Sequence, residues 1–221
     1  MMRRKQPDRF EKALERGKYL FHIHTDWTDG ISSLSEYCEA AKKLGFKAII
    51  LLEHIRKRCS YNFDAFFKLA QQQESKHDVE IVVGVEAKVL PDGTVDMPDS
   101  IYSQIEVLGI AEHSFKGDAG MLAKALYQAV SWCRELGFPC VWVHPGLGLL
   151  HTYNDRLAFQ KIMDVALCNG LYIELNLRYN LPPEWALNKI PSRSIVVGLD
   201  AHSVEEVRSL ARKVLDEEIM F

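Results

Sequence analysis

The sequence predicts an α/β fold of parallel strands covered by helices, either closed as a (β/α) barrel or open as a doubly wound sheet. Three observations predict it. Seven short, β-rich apolar runs recur along the chain, helical patterns separate them, and no Gly/Ser linker or shift of composition interrupts the alternation. The 221 residues, at roughly 150 per domain, favour one large domain spanning residues 1–221.

The predicted strands are residues 19–24, 48–54, 81–89, 107–113, 141–144, 172–177 and 195–200. Ahead of the first lies a basic segment, residues 1–18. There Arg3, Arg4, Lys5, Arg9, Lys12, Arg16 and Lys18 face only Asp8, Glu11 and Glu15, and the segment reads as a solvated tail. After the first strand, Ser33 and Glu36 open a capping box, Leu34, Tyr37, Cys38, Ala41 and Leu44 line one helical face, and Gly45 ends the helix. A polar helix precedes His77, which reads as surface. Further faces are Leu122, Leu126, Ala129, Cys133 and Leu136, closed by Gly137, and Phe159, Ile162, Met163, Ala166 and Leu167, closed by Gly170. A second box, Ser203 with Glu206, starts a last helix through Val207, Leu210 and Val214.

Composition narrows the function. With 48% apolar and 26% charged residues the chain is an ordinary folded globule. A net charge of -3 supplies no global field for a long polyanion, so nucleic acid is not favoured as a partner and small substrates fit better. The five cysteines form an odd set without a C-x-x-C pair, which indicates neither a disulfide framework nor a zinc ribbon. The longest clean apolar run, residues 48–52, is far short of the roughly 20 residues that span a membrane, and no hydrophobic signal segment opens the chain. A cytoplasmic location is expected.

The ionisable residues are not scattered. Of eight histidines, six lie at or just past predicted strand ends: His22 and His24, His54, His113, His144 and His202. Glu86 sits late in the third strand and Asp200 at the end of the seventh. Both candidate architectures put chemistry at that rim. Residues i and i+2 of a strand project to one side, so His22/His24 and Asp200/His202 are chelating pairs. Asp29, in a Gly-permitted turn at Thr28-Asp29-Gly30, adds a ninth donor. Each has a bland reading when taken singly: a satisfied strand-end histidine, a structural Glu86, a plain turn residue at Asp29. Taken together they point to metal. Imidazole with carboxylate and no thiolate suits Zn, Mn or Fe, and nine donors exceed what one ion uses, so two or three divalent ions are implied. His151, beyond the fifth strand, is a candidate for bordering the cleft.

The segments His22-Ile-His-Thr-Asp-Trp-Thr-Asp-Gly30, Glu53-His54, Gly84-Val-Glu86, His113, His144-Pro-Gly146 and Gly198-Leu-Asp-Ala-His202 resemble, in order, the polymerase and histidinol phosphatase (PHP) superfamily of metal-dependent phosphoesterases. Residues 85–96 and 112–115 are most similar to the PHP domain of bacterial X-family DNA polymerases. The resemblance implies an irregular seven-stranded (β/α) barrel, a trinuclear centre and a phosphate-ester substrate. It carries the full ligand set to His22, His24, Asp29, His54, Glu86, His113, His144, Asp200 and His202. One departure is Glu53, where the family more usually has Asp before the histidine; another is the basic triplet Arg56-Lys57-Arg58 that follows.

These readings predict hydrolysis of a small phosphomonoester by a hydroxide shared between ions. Arg56, Arg58 or Arg178 would orient the ester, because a guanidinium fork matches phosphoryl oxygens, and Glu53 or Asp26 would assist proton transfer. The alternatives are a DNA 3'-end processing nuclease or phosphodiesterase, favoured by the polymerase-type resemblance and the basic N-terminus, and a non-catalytic metal-binding barrel.

Overall fold

The computed structural model describes residues 9–216; Arg3, Arg4, Lys5 and Asp8 lie outside them, and the side chain of Val214 is likewise not described. The strands are β1 (Tyr19–Ile23), β2 (Ala48–Ile55), β3 (Glu80–Lys88), β4 (Val107–Ala111), β5 (Cys140–Trp142), β6 (Tyr172–Asn176) and β7 (Ile195–Gly198). They form one parallel sheet in chain order. An Ile23–Ala201 bridge joins its edges, with Leu199 N donating to Phe21 O, Ala201 N to His22 O and His24 N to Ala201 O. The sheet is therefore a nearly closed barrel, not an open doubly wound one.

Alternation along the strands divides the core in two. Ala48, Ile50, Leu52, Val82, Val107, Val141, Val143 and Val196 fill the interior with Phe21. Ile49, Leu51, Ile81, Val83 and Val85 face the helices. Those helices are α1 (Arg9–Arg16), α2 (Leu34–Leu44), α3 (Phe63–His77), α4 (Ala119–Trp132), α5 (Arg156–Cys168), α6 (Glu184–Leu187) and α7 (Val204–Asp216). The Ser33–Glu36 capping box and the left-handed Gly45 bound α2 as predicted.

Three expectations change. The basic N-terminus is not a solvated tail over Arg9–Arg16: α1 buries Phe10 and Ala13 in the floor of the barrel. Arg9 there donates to Glu74 at 2.7 and 2.8 Å and lies 3.4 Å from both Glu80 and Glu106, while Arg16 pairs with Glu80. Second, α4 gives way to a 3-10 turn at Cys133–Glu135, so Leu136 lies beyond the helix. Third, several strands stop short of their predicted ends. His24, His113, His144 and Asp200 fall in the loops just past β1, β4, β5 and β7, where His144 and Asp200 turn the backbone left-handed. His77 is half-buried, with Nε2 3.1 Å from Ser35 Oγ.

Candidate metal centre

The nine residues marked in the sequence meet at the C-terminal mouth of the barrel. Their donor atoms form four overlapping groups, each with its atoms within 4.8 Å of one another: His24, Asp29, His54 and His202; His22, His144 and Asp200; His22, His24 and Glu86; and Glu86, His113 and His144. Among the described residues these groups contain the nine and no others.

Local backbone geometry explains how one mouth collects so many side chains. A register shift between Phe21 and Ile23 places a bulge at His22, whose φ is 67°. The adjacent Phe21 and His22 can then both face inward, which simple alternation forbids. His144 (φ 31°) and Asp200 (φ 51°) share this left-handed backbone with His22. One donor group thus rests entirely on conformations that cost non-glycine residues of order 1–3 kcal/mol each.

Glu86 sits at the centre. Its Oε1 is 2.9 Å from His144 Nε2 and 3.4 Å from His113 Nδ1. Its Oε2 is 2.9 Å from His54 Nδ1, 3.6 Å from His24 Nε2 and 3.7 Å from His22 Nε2. Burial alone would raise its carboxyl, but the facing imidazoles of His144, His22 and His54 outweigh burial and hold it well below the usual range. Asp200 is held low in the same way by His22 and His24 against the opposing effect of burial. Asp29 closes the mouth from the β1–α2 loop, with Oδ2 3.1 Å from His54 Nε2 and 3.5 Å from His202 Nε2.

Three buried glutamates brace this cluster from behind. Glu174 lies 2.7 Å from His22 Nδ1 and accepts from His144 N at 2.5 Å and Asn176 Nδ2 at 3.1 Å. Gly198 makes room for it, since a Cβ there would overlap the carboxylate. Glu112 accepts from Gly146 N and Leu149 N, fixing the turn after His144. Glu53 accepts from Thr25 N at 2.8 Å and Thr28 Oγ1 at 2.5 Å, which ties down the loop carrying Asp29. Burial pushes both Glu53 and Glu112 up to about 7. The sequence reading passed over Glu112 and Glu174 as site residues. An acidic residue at an inward position of the otherwise apolar run Tyr-Ile-Glu-Leu-Asn was the available signal.

The expected substrate residues divide. Arg178 lies at the mouth, with Nη1 donating to Asp200 O at 2.9 Å and Glu206 Oε2 at 3.1 Å and lying 3.1 Å from His202 Nδ1. Arg56 is half-buried beside Asp96 at 3.7 Å and donates to Ile55 O. Arg58 and Asp26 are exposed, and His151 is exposed on the π-helical turn Leu147–Thr152 with no bond from its ring to the cluster among the described residues.

The donor set fits divalent ions. His22 Nε2, both ring nitrogens of His24 and His144 Nδ1 are buried without a hydrogen-bond partner. Such unsatisfied polar atoms are costly, and a cation is what clustered imidazole and carboxylate donors lack. A parallel barrel whose mouth gathers these donors is a metal-site domain. The chain belongs to the PHP family, whose domain model matches residues 21–177.

Among its relatives, the DNA polymerase/3'-5' exonuclease PolX of Bacillus subtilis is 24% identical over 197 residues, a match covering 83% of this chain but only 34% of that protein. A histidinol phosphate phosphatase from Lactococcus lactis, solved with zinc, L-histidinol and phosphate, superposes with a TM-score of 0.57 at 13% identity over 89% of this chain and 93% of that one. A two-domain protein from Bacteroides vulgatus with a predicted PHP-like metal-dependent phosphoesterase gives 0.52 at 17% identity, over 86% of this chain and 53% of that one. These last two likenesses are of fold.

Proposed function

We propose that the chain hydrolyses a small phosphomonoester using two or three divalent ions, zinc, manganese or iron, held by His22, His24, Asp29, His54, Glu86, His113, His144, Asp200 and His202. The observation that carries this reading is the convergence of four donor groups at one mouth, with orphaned buried ring nitrogens among them. When bound, the ions supply an acidified water and positive charge opposite the phosphoryl oxygens. The chain's own residues prepare the site. Glu174 occupies His22 Nδ1 and leaves Nε2 facing the cluster. Glu53, with both oxygens taken by the β1–α2 loop, acts as a positioning residue, and exposed Asp26 is the better candidate for moving a proton. Arg178 and Arg56 orient the ester from opposite sides, with Arg58 and His151 farther out. The five unpaired cysteines support a reducing, cytoplasmic setting, and among the described residues no helix is long and apolar enough to cross a membrane.

The likeness to PolX favours a second reading, processing of DNA 3' ends. The basic residues of α1 no longer argue for it, because Arg9 and Arg16 face acids at the floor, away from the mouth. Assay of zinc-, manganese- and iron-reconstituted protein against p-nitrophenyl phosphate, its bis-ester and a 3'-blocked oligonucleotide separates the two. The monoester should turn over fastest; processing of the oligonucleotide alone establishes the second reading. His144→Ala and Asp200→Ala should abolish turnover while leaving the circular dichroism spectrum folded, and activity surviving in both removes the ligand assignment.

A further inference from the structure

The geometry points to Lys88, which the sequence reading left unassigned, as the residue that anchors the substrate's phosphate, acting with Arg56 to select a dianionic monoester over a diester. The inference rests on the phosphoesterase reading above and adds a subsite to it.

The β2 and β3 strands pair in register with His54 opposite Glu86. Arg56 lies two residues beyond His54 and Lys88 two beyond Glu86. Within β3, residues i and i+2 share a side and rise by roughly 6.6 Å, so Lys88 stands above Glu86, and Arg56 follows the last residue of the neighbouring β2. Lys88 also pairs in register with Ala111, an inward residue two positions before His113. Its charge therefore emerges between the ends of β2 and β4, where it interacts with Glu86, Asp96, Arg56 and His113.

The two cations already placed at the mouth are engaged. Arg178 holds Glu206 and Asp200 O, and Arg56 holds Asp96 and Ile55 O. Lys88 is half-buried, and its ammonium makes no hydrogen bond or close ion pair among the described residues. Asp96 lies near both cations and pairs with Arg56, but Lys88 closes no ion pair with it, so the ammonium stays open to a phosphoryl group resting on the cluster below, whose oxygens would reach both cations. A monoester offers two negative charges to that pair and a diester one.

The test compares wild type, Lys88→Ala, Lys88→Arg and, as a control on the far surface of α5, Lys161→Ala, each reconstituted with zinc. Inorganic phosphate binding is read by calorimetry, and kinetics with p-nitrophenyl phosphate and its bis-ester. In Lys88→Ala the phosphate affinity should fall, and KM for the monoester rise, by about tenfold, with KM for the bis-ester changed by less than about threefold. Lys88→Arg should recover most of the loss and Lys161→Ala should match wild type. Unchanged phosphate affinity in Lys88→Ala, or equal losses on both esters, would overturn the subsite. If wild type cleaves neither ester, the phosphoesterase reading falls by itself. The phosphate titration then still decides Lys88, because equal binding by wild type and Lys88→Ala overturns the anion site.

Discussion

Glu174 governs how the innermost histidine is presented. One oxygen faces His22 Nδ1 at 2.7 Å, and the other accepts from His144 N and Asn176 Nδ2. In Glu174→Gln one carboxylate oxygen becomes an amide NH2 that donates and cannot accept, so either His22 or the His144 backbone loses its partner. Carboxylate partners of this kind typically matter 10- to 100-fold in metal affinity. Zinc affinity of Glu174→Gln, measured by chelator competition, should fall by about that range while the circular dichroism spectrum stays native. Unaltered affinity would show that Glu174 only fills space. At this scale the histidines were legible because imidazoles gathered at strand ends are improbable in an apolar pattern. Their supporting glutamates were not, because an acid behind a ligand has the same spacing as an acid on a solvated face. Lys88 was hidden for the same reason, since only the β2–β3 register sets it beside Arg56.

Among the elements, α1 shows where local pattern fails. Its eight residues are mostly charged, too few and too polar to announce a buried face, yet Phe10 sits in the floor with its ring 5.3 Å from Tyr172 and 6.1 Å from Phe21. Phe10→Ala should destabilise the fold by about 3–5 kcal/mol, read as a lowered urea midpoint. Zinc content should be retained, because the floor lies at the opposite end from the nine clustered donors. Loss of zinc with an unchanged midpoint would contradict that separation. The helix α2 was readable because both of its ends carry chemistry. Ser33→Ala removes the acceptor for Glu36 N and should cost about 1 kcal/mol in the same titration, whereas no loss would mean that Glu36 alone holds the terminus. The connection from β3 to β4, for which the sequence showed no helical face, folds as a Val89–Val95 bridge and a 3-10 turn at Asp99–Ile101, in keeping with the helix-breaking Pro91-Asp92-Gly93 and Pro98 within it.

For the molecule as a whole, the mouth makes stability depend on pH differently with and without ions. In the ion-free protein, burial favours neutral rings. Glu174 and Asp200 beside His22, and Glu86 beside His54 and His144, outweigh burial and raise all three imidazoles, His22 well above its ordinary range. A group raised on folding contributes fully below its unfolded value, about 6.5 for histidine, and loses that contribution as pH climbs through the folded value. Glu53 and Glu112, raised by burial to about 7, act in the same sense up to that pH. Chelated protein should therefore melt at progressively lower temperature as pH rises above about 6.5. Ion binding requires those same rings without their protons, so the stabilisation conferred by zinc should grow across this window. Thermal melts from about pH 6 to 9, with chelator and with zinc, should diverge as pH rises. Profiles that stay parallel would mean that the imidazoles at the mouth neither charge in the ion-free state nor hold the metal in the loaded one.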